Sequence, residues 1–178
     1  MLNLDALGRE PAPDAPFRRA PTHLWQPGIV GTVDIRIDRE GQWWHEGDPI
    51  RRAGLVRLLA SVLICEDDTY WLKTPAEKMQ IEVEDAPFVV TDAQTREDGV
   101  EVLTNVGERA VLQTPWTLRT DVSGASRPWV PLEQDLGARL TRNLYYHLVN
   151  EAAYAGESTP EGVLVWRAAG QAWPLGEL

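Results

Sequence analysis

The sequence predicts an α+β fold of two similar small units, each made of antiparallel strands plus one helix. Three observations lead there. Short apolar runs of period two recur between Gly-, Asp- and Asn-containing turns, as in Val33-Asp34-Ile35-Arg36-Ile37. Two longer stretches repeat apolar residues at three- and four-residue spacing, as helices do. Outside a Pro-rich beginning, residues 31–87 and 88–178 each carry seven basic and twelve acidic side chains, and each reads as strands, one long helix and more strand. The expected division is a Pro-rich extended arm over 1–26, an N-terminal α+β unit over 27–87 and a C-terminal unit with the long helix over 88–178.

The arm reading rests on Pro11, Pro13, Pro16 and Pro21, with Pro27 just beyond; proline lacks an amide donor and suits neither helix interior nor central strand. Val33–Ile37 is the first strand, Asp38-Arg39-Glu40-Gly41 the turn and Gln42–His45 the returning strand. Asp48-Pro49 then reads as a helix start, Asp capping and Pro filling the first turn, with the helix running to about Ile64 on a stripe of Leu55, Leu58, Leu59 and Val62. Tyr70–Lys73 and Gln80–Glu84 follow as strands around the Pro75 turn. In the second half, Phe88–Thr91, Val100–Thr104, Ala110–Leu112, Trp116–Thr120 and Trp129–Leu132 alternate with turns at Gly99, Gly107 and Gly124. A helix of about twenty residues is expected next, on a ridge of Leu136, Leu140, Leu144, Leu148 and Ala152 stopped by Gly156. Gly162–Ala168 and Ala172–Leu175 close the chain as strands. Adjacent Trp43 and Trp44 must face opposite sides of their strand, and the arm around Trp25 is the expected cover for the second face.

At 43% apolar and 25% charged, the 178-residue chain has an ordinary globular composition. Its net charge of −10 repels a phosphate backbone, so nucleic acid and anionic membranes are not expected partners. One cysteine, Cys65, allows neither an internal disulfide nor a thiolate metal site, and the absence of a signal pattern points to the cytoplasm. There is no phosphate-binding Gly-Lys-Ser/Thr loop, dinucleotide glycine fingerprint or Gly-x-Ser-x-Gly elbow. His23, His45 and His147 lack metal-ligand spacing, so neither a metal nor a cofactor is expected; His147 and Glu151 read as a solvent-facing helix pair.

Three features carry the functional reading. The chain's only lysines, Lys73 and Lys78, flank one turn and would suit a phosphate or carboxylate, against the alternative of a plain surface turn. Gln80–Glu84 alternates so that Glu82 and Glu84 share a face, fit either for acid/base work or for pairing with nearby cations. Arg139, Arg142, Asn143, Tyr146 and Asn150 fall on one stripe of the expected long helix, a donor set for a phosphate and a flat base unless the stripe is merely solvated.

The strings Gly41-Gln-Trp-Trp-His-Glu-Gly-Asp-Pro-Ile-Arg-Arg52, Thr74-Pro-Ala-Glu-Lys78, Val83-Glu-Asp-Ala-Pro-Phe88, Leu103-Thr-Asn105 and Ala138-Arg-Leu-Thr-Arg142 resemble the motifs of the bacterial domain-of-unknown-function family 1285. The likeness spans residues 24–176, with departures at Thr69, in place of a turn glycine, and Arg167, in place of a small polar residue. It implies a duplicated core whose C-terminal unit is superficially like a pleckstrin-homology barrel, a nucleotide-like ligand at the domain interface and a part in signal transduction. By matching motif it points to Arg52, Lys73, Thr74, Lys78, Glu84, Asp85, Asn105, Arg139 and Arg142; Tyr146 joins them from the helix stripe. The resulting expectation is a cytoplasmic binding or sensory module, more readily a non-enzyme, holding an anionic, nucleotide-based small molecule in a cleft between its units. The rivals are a hydrolase-like enzyme using carboxylates among Glu82, Glu84 and Asp85, and a module that grips another protein through its C-terminal half or its arm.

Overall fold

The computed structural model describes residue 2 and residues 8–177. The chain forms two compact units: Met1–Pro87 with Val106–Glu108 and Glu133–Leu136, and Phe88–Asn105 with Arg109–Leu132 and Gly137–Leu178. Residues 1 and 3–7 of the expected arm, and residue 178, lie outside the described residues.

In the first unit, β1 (Ile29–Ile37), β2 (Trp43–His45) and β3 (Asp48–Pro49) form one meander, α1 (Ala53–Ser61) follows, and β4 (Leu63–Glu66), β5 (Thr69–Lys73) and β6 (Glu77–Val83) form another. The sheet order is β3-β2-β1-β6-β5-β4, with β1 parallel to β6 and every other pair antiparallel. In the second unit, β7 (Phe88–Arg96), β8 (Gly99–Thr104) and β9 (Arg109–Leu112) make the first meander and β10 (Thr117–Thr120), β11 (Ser126–Pro131) and β12 (Gly137–Leu140) the second. Then come α2 (Arg142–Ala155) and the hairpin β13 (Val163–Ala168) and β14 (Gln171–Glu177). That sheet runs β10-β11-β12-β7-β8-β9, with β7 parallel to β12.

The two sheets therefore share one wiring scheme: two three-stranded meanders joined where the first strand of one lies parallel to the last strand of the other. The helix is placed differently, between the meanders in the first unit and after both in the second. The architecture is α+β with a duplicated core. The strands are antiparallel, as expected, except at one seam in each sheet, where the first strand of one meander and the last strand of the other run in the same direction.

Three element boundaries also differ from the expectation. Asp48-Pro49 is a short strand and not a helix cap: Glu46 and Gly47 take φ of 50° and 85°, a tight turn that folds the chain back on β2. Helix α1 begins only at Ala53, without a side-chain cap, and ends at Ser61, so Leu63-Ile64 passes into strand. The long second helix is also shorter than its leucine ridge suggested. Leu136 precedes strand β12, and α2 starts at Arg142 because Thr141 caps it, its side chain accepting from the Leu144 amide. Gly156, at φ 68°, ends it as expected.

Each unit has its own core. In the first, Ile37, Trp43, Leu59, Leu63 and Leu72 are fully buried; in the second, Phe88, Val130, Leu148, Trp173 and Leu175. Trp116 stacks on Trp166 at 6.2 Å, meets Trp173 edge-on at 4.8 Å and donates to the Pro174 carbonyl at 2.7 Å, so the tryptophan-rich hairpin β13–β14 is bound to the sheet by both apolar area and a satisfied indole.

The described part of the arm is tied to the first unit. Arg19 reaches Glu108 through two bonds of 3.0 and 2.6 Å, Arg52 pairs with Glu10, and the Arg57 guanidinium donates to the carbonyls of Ala12, Pro13 and Ala15. These bonds tie residues 10–15 to Arg52 and Arg57 at α1 and Arg19 to Glu108; the Trp44 ring is met by Arg36 at 5.2 Å and its indole donates to Asp38. No helix among the described residues is long and apolar enough to cross a membrane.

Candidate functional site: an arginine and aromatic cluster in the second unit

The cluster starts from the register of three strands. Arg119 on β10 lies directly opposite Arg127 on β11, and Trp129 and Arg139 extend the same face across β11 and β12. Trp129 can lie flat there because Gly137 has no side chain; a Cβ at that position would come within 2.1 Å of the indole. Arg119 stacks over the Trp129 ring at 4.4 Å and Arg139 at 5.2 Å. Arg127 stands 4.9 Å from the Tyr145 ring and donates to its hydroxyl at 3.1 Å, linking the sheet to the first turns of α2. Tyr145 meets Tyr146 edge-on, and Arg142 lies over the Tyr146 ring at 5.7 Å.

Arg139 plays a different part from its neighbours. It is buried on β12, not exposed on the helix stripe where the leucine spacing placed it. Its Nη1 donates to the carbonyls of Arg119, Arg127 and Pro128 at 3.1, 3.1 and 3.3 Å, and its Nη2 to that of Thr120 at 3.1 Å. Such a guanidinium welds β10 and β11 to β12. Nearby, burial works to raise the Asp121 carboxyl, but hydrogen bonds from the Ser123 hydroxyl and the Ala125 and Ser123 amides, with the Arg139 charge, outweigh it and hold Asp121 below the usual carboxylate range.

Arg119, Arg127 and Arg142 make no ion pair with any described residue. Two like charges directly across a β-ladder repel, and in a chain of net charge −10 acidic partners are plentiful. The site concentrates cations and π faces; Arg139 acts on the Asp121 carboxylate, whereas Arg119, Arg127 and Arg142 stack on rings without an ion pair among the described residues.

Most of the remaining expected positions are engaged locally. Arg142 and Tyr146 stay together at the start of α2 and are exposed, but Arg139 leaves their stripe. Lys73 and Lys78 face each other across β5 and β6; Lys78 is paired with Glu66 and lies 4.5 Å from the Trp71 ring, while Lys73 has no ion pair among the described residues. Thr74 is fully buried and builds the turn between them, its hydroxyl accepting from the Ala76 and Glu77 amides at 3.2 and 3.1 Å. Glu84 is engaged by the Arg36 guanidinium and the Arg39 amide. Asp85 lies half-buried just past β6. Asn105 accepts from the Val89 amide at 3.2 Å and so braces the β7–β8 pair, and Arg52 is occupied with Glu10.

Arg119, Arg127, Trp129 and Tyr145 did not stand out in the sequence. A cross-strand partnership becomes visible only once the β10–β11 register is known, although Arg127-Pro128-Trp129 and Arg119 each show the period-two spacing that would share a face. Burial first, and then the carboxylates Asp68, Asp135 and Asp67, push the Cys65 thiol up, though a hydrogen bond from the Asp68 backbone amide partly opposes them, so the environment disfavours the reactive thiolate. Among the described residues no group of three or more His, Cys, Asp or Glu could hold a metal ion.

A two-unit α+β chain with one meander-pair scheme used twice, and an arginine–aromatic face on its second sheet, is the class defined by fold and site. Residues 20–86 match the N-terminal domain and residues 87–175 the C-terminal domain of DUF1285, both described as of unknown function. The chain belongs to the DUF1285 family. It is similar to the crystal structure of a DUF1285 family protein from Silicibacter pomeroyi DSS-3 at 33% identity and a TM-score of 0.76, over 90% of this chain and 89% of that one. A DUF1285 family protein from Shewanella baltica OS155 is 32% identical with a TM-score of 0.55, over 66% of this chain and 91% of that one. No curated protein matches the chain.

Proposed function

We propose that this chain is a small-molecule binding module whose second unit takes up an anion joined to a flat ring, the composition of a nucleotide. The observation that carries the reading is the set of arginines 119, 127 and 142, each against an aromatic ring and none in an ion pair among the described residues. A phosphate seated among them would relieve the Arg119–Arg127 repulsion and form charge-assisted hydrogen bonds, while the half-exposed Tyr146 ring offers a surface for a base.

The test is isothermal titration of the intact chain against a panel of mono-, di- and cyclic nucleotides. At least one member is expected to bind, with Arg142→Ala and Arg119→Ala each weakening it about tenfold, the loss of one charge-assisted contact. Lys78→Ala, which removes an ammonium already paired with Glu66, is expected to change affinity less. A folded protein that binds no member of the panel overturns the reading.

A further inference from the structure

The outer edge of β1 is only partly used. β2 pairs with it over Ile35–Ile37, and the Glu46 amide adds a bond to the Asp34 carbonyl; among the described residues no strand pairs with that edge from Ile29 to Val33. The opposite edge is occupied by β6. Natural edge strands are usually blunted by charge, proline or a bulge at the exposed pairing positions; in β1 the one irregularity of register against β6 falls between Thr32 and Arg36, at the end of the open stretch. Here the five residues are Ile29-Val30-Gly31-Thr32-Val33, and no Asp, Glu, Lys or Arg occurs anywhere from residue 20 to residue 33. Ile29 and Val30 are 58% and 63% exposed, and Leu24 shortly before them 70%.

We propose that this edge is a homodimer interface, in which β1 of one copy pairs antiparallel with β1 of a second copy about a two-fold axis through Gly31. Three observations favour a second copy over another partner. The slot is as long as the segment that would fill it: it is bounded on one side by the Glu46-Gly47 turn and on the other by Pro27-Gly28, and both glycines have open space around their Cα atoms. Centred on Gly31, the pairing sets Ile29 against Val33 and Val30 against Thr32, twice each, so β-branched side chains meet their own kind, as favourable cross-strand pairs require. The stretch is uncharged in a chain of net charge −10, so two copies can approach here without bringing like charges together, and a charged peptide would find nothing to complement it. Five residues and their neighbours make a small interface, so the dimer is expected to be weak, with a dissociation constant of about 10 μM.

Sedimentation velocity on the intact chain, from about 1 to about 200 μM, spans that affinity. The wild type is expected to pass from monomer to dimer across the range. Val30→Lys and Ile29→Asp, both at exposed positions, are expected to keep the monomer folded and to raise the dissociation constant at least about tenfold by setting like charges near the axis. Tyr154→Lys, at a fully solvent-facing site of α2, is expected to leave dimerisation unchanged. A wild type that stays monomeric at the top concentration overturns the proposal, whether or not it captures some other extended peptide. So does a Val30→Lys protein that dimerises as well as the wild type, because the contact then lies elsewhere.

Discussion

Removing the Arg139 guanidinium should cost the second unit more than any other single polar change there. Arg139→Met keeps the aliphatic stem and deletes the charged fork together with its contact over the Trp129 ring. At least four hydrogen bonds are lost, to the carbonyls of Arg119, Thr120, Arg127 and Pro128. Each bond to a charged donor contributes about 1.5–3 kcal/mol net when deleted alone. They share one guanidinium, however, and its own burial is costly in the native state, so the deletions do not add. The net expectation is about 3–5 kcal/mol, the range for removing one member of a buried charged network. For a chain of this size that corresponds to a fall of about 10 °C in Tm. Arg139→Lys should recover only part of the loss: a single ammonium can bridge β10 and β11 as Nη1 does, but it lacks the second nitrogen that reaches the Thr120 carbonyl and the planar group that stacks on Trp129. Thermal unfolding followed by circular dichroism, with hydrogen exchange of the β10–β12 amides to localise the loss, measures both. An Arg139→Met protein that melts within about 2 °C of wild type, a loss below about 1 kcal/mol, would refute the assignment of Arg139 as the weld of these strands.

Three further outcomes follow from the same geometry. Gly137→Ala should destabilise by about 2 kcal/mol and disturb the tryptophan fluorescence, because the Trp129 ring must leave the strand to make room for a methyl group; unchanged emission and stability would contradict the flat seating. Thr141→Ala should cost about 1 kcal/mol by uncapping α2, measured by chemical denaturation, with Thr141→Ser restoring most of it. Burial raises the Glu108 carboxyl above its ordinary range, and the Arg19 guanidinium lowers it only in part. A carboxyl whose folded pKa exceeds its unfolded one favours folding while protonated and loses that contribution as pH rises from the ordinary glutamate range through the raised value. Glu108→Gln should therefore gain on the wild type over that rise, and parallel pH–stability curves for the two proteins would exclude the effect.

Much of this fold was legible because its signals are local. Period-two alternation marked β1 and β6, Asp38 and Gly41 closed the first turn, and Gly156 stopped α2, each through chemistry within a few residues. The errors arose where one pattern served two periods. Leu136 and Leu140 are four apart and so fit a helical ridge, but four is also an even number, which lets the segment run as strand β12 and carry Arg139 onto the sheet. Asp48-Pro49 has the composition of a helix start, yet Gly47 turns the chain into a hairpin before any helix can begin.

The amino-acid order alone determined the class, the two-part organisation, most turns and the family, since composition, turn chemistry and motif strings need no knowledge of distant neighbours. Which cations ended up together was a tertiary decision. Arg119, Arg127 and Arg139 come from three strands whose pairing depends on register, and register is set by how whole strands fit their neighbours. The same register that buries one arginine as a structural fork leaves the others stacked on aromatic rings and facing outward.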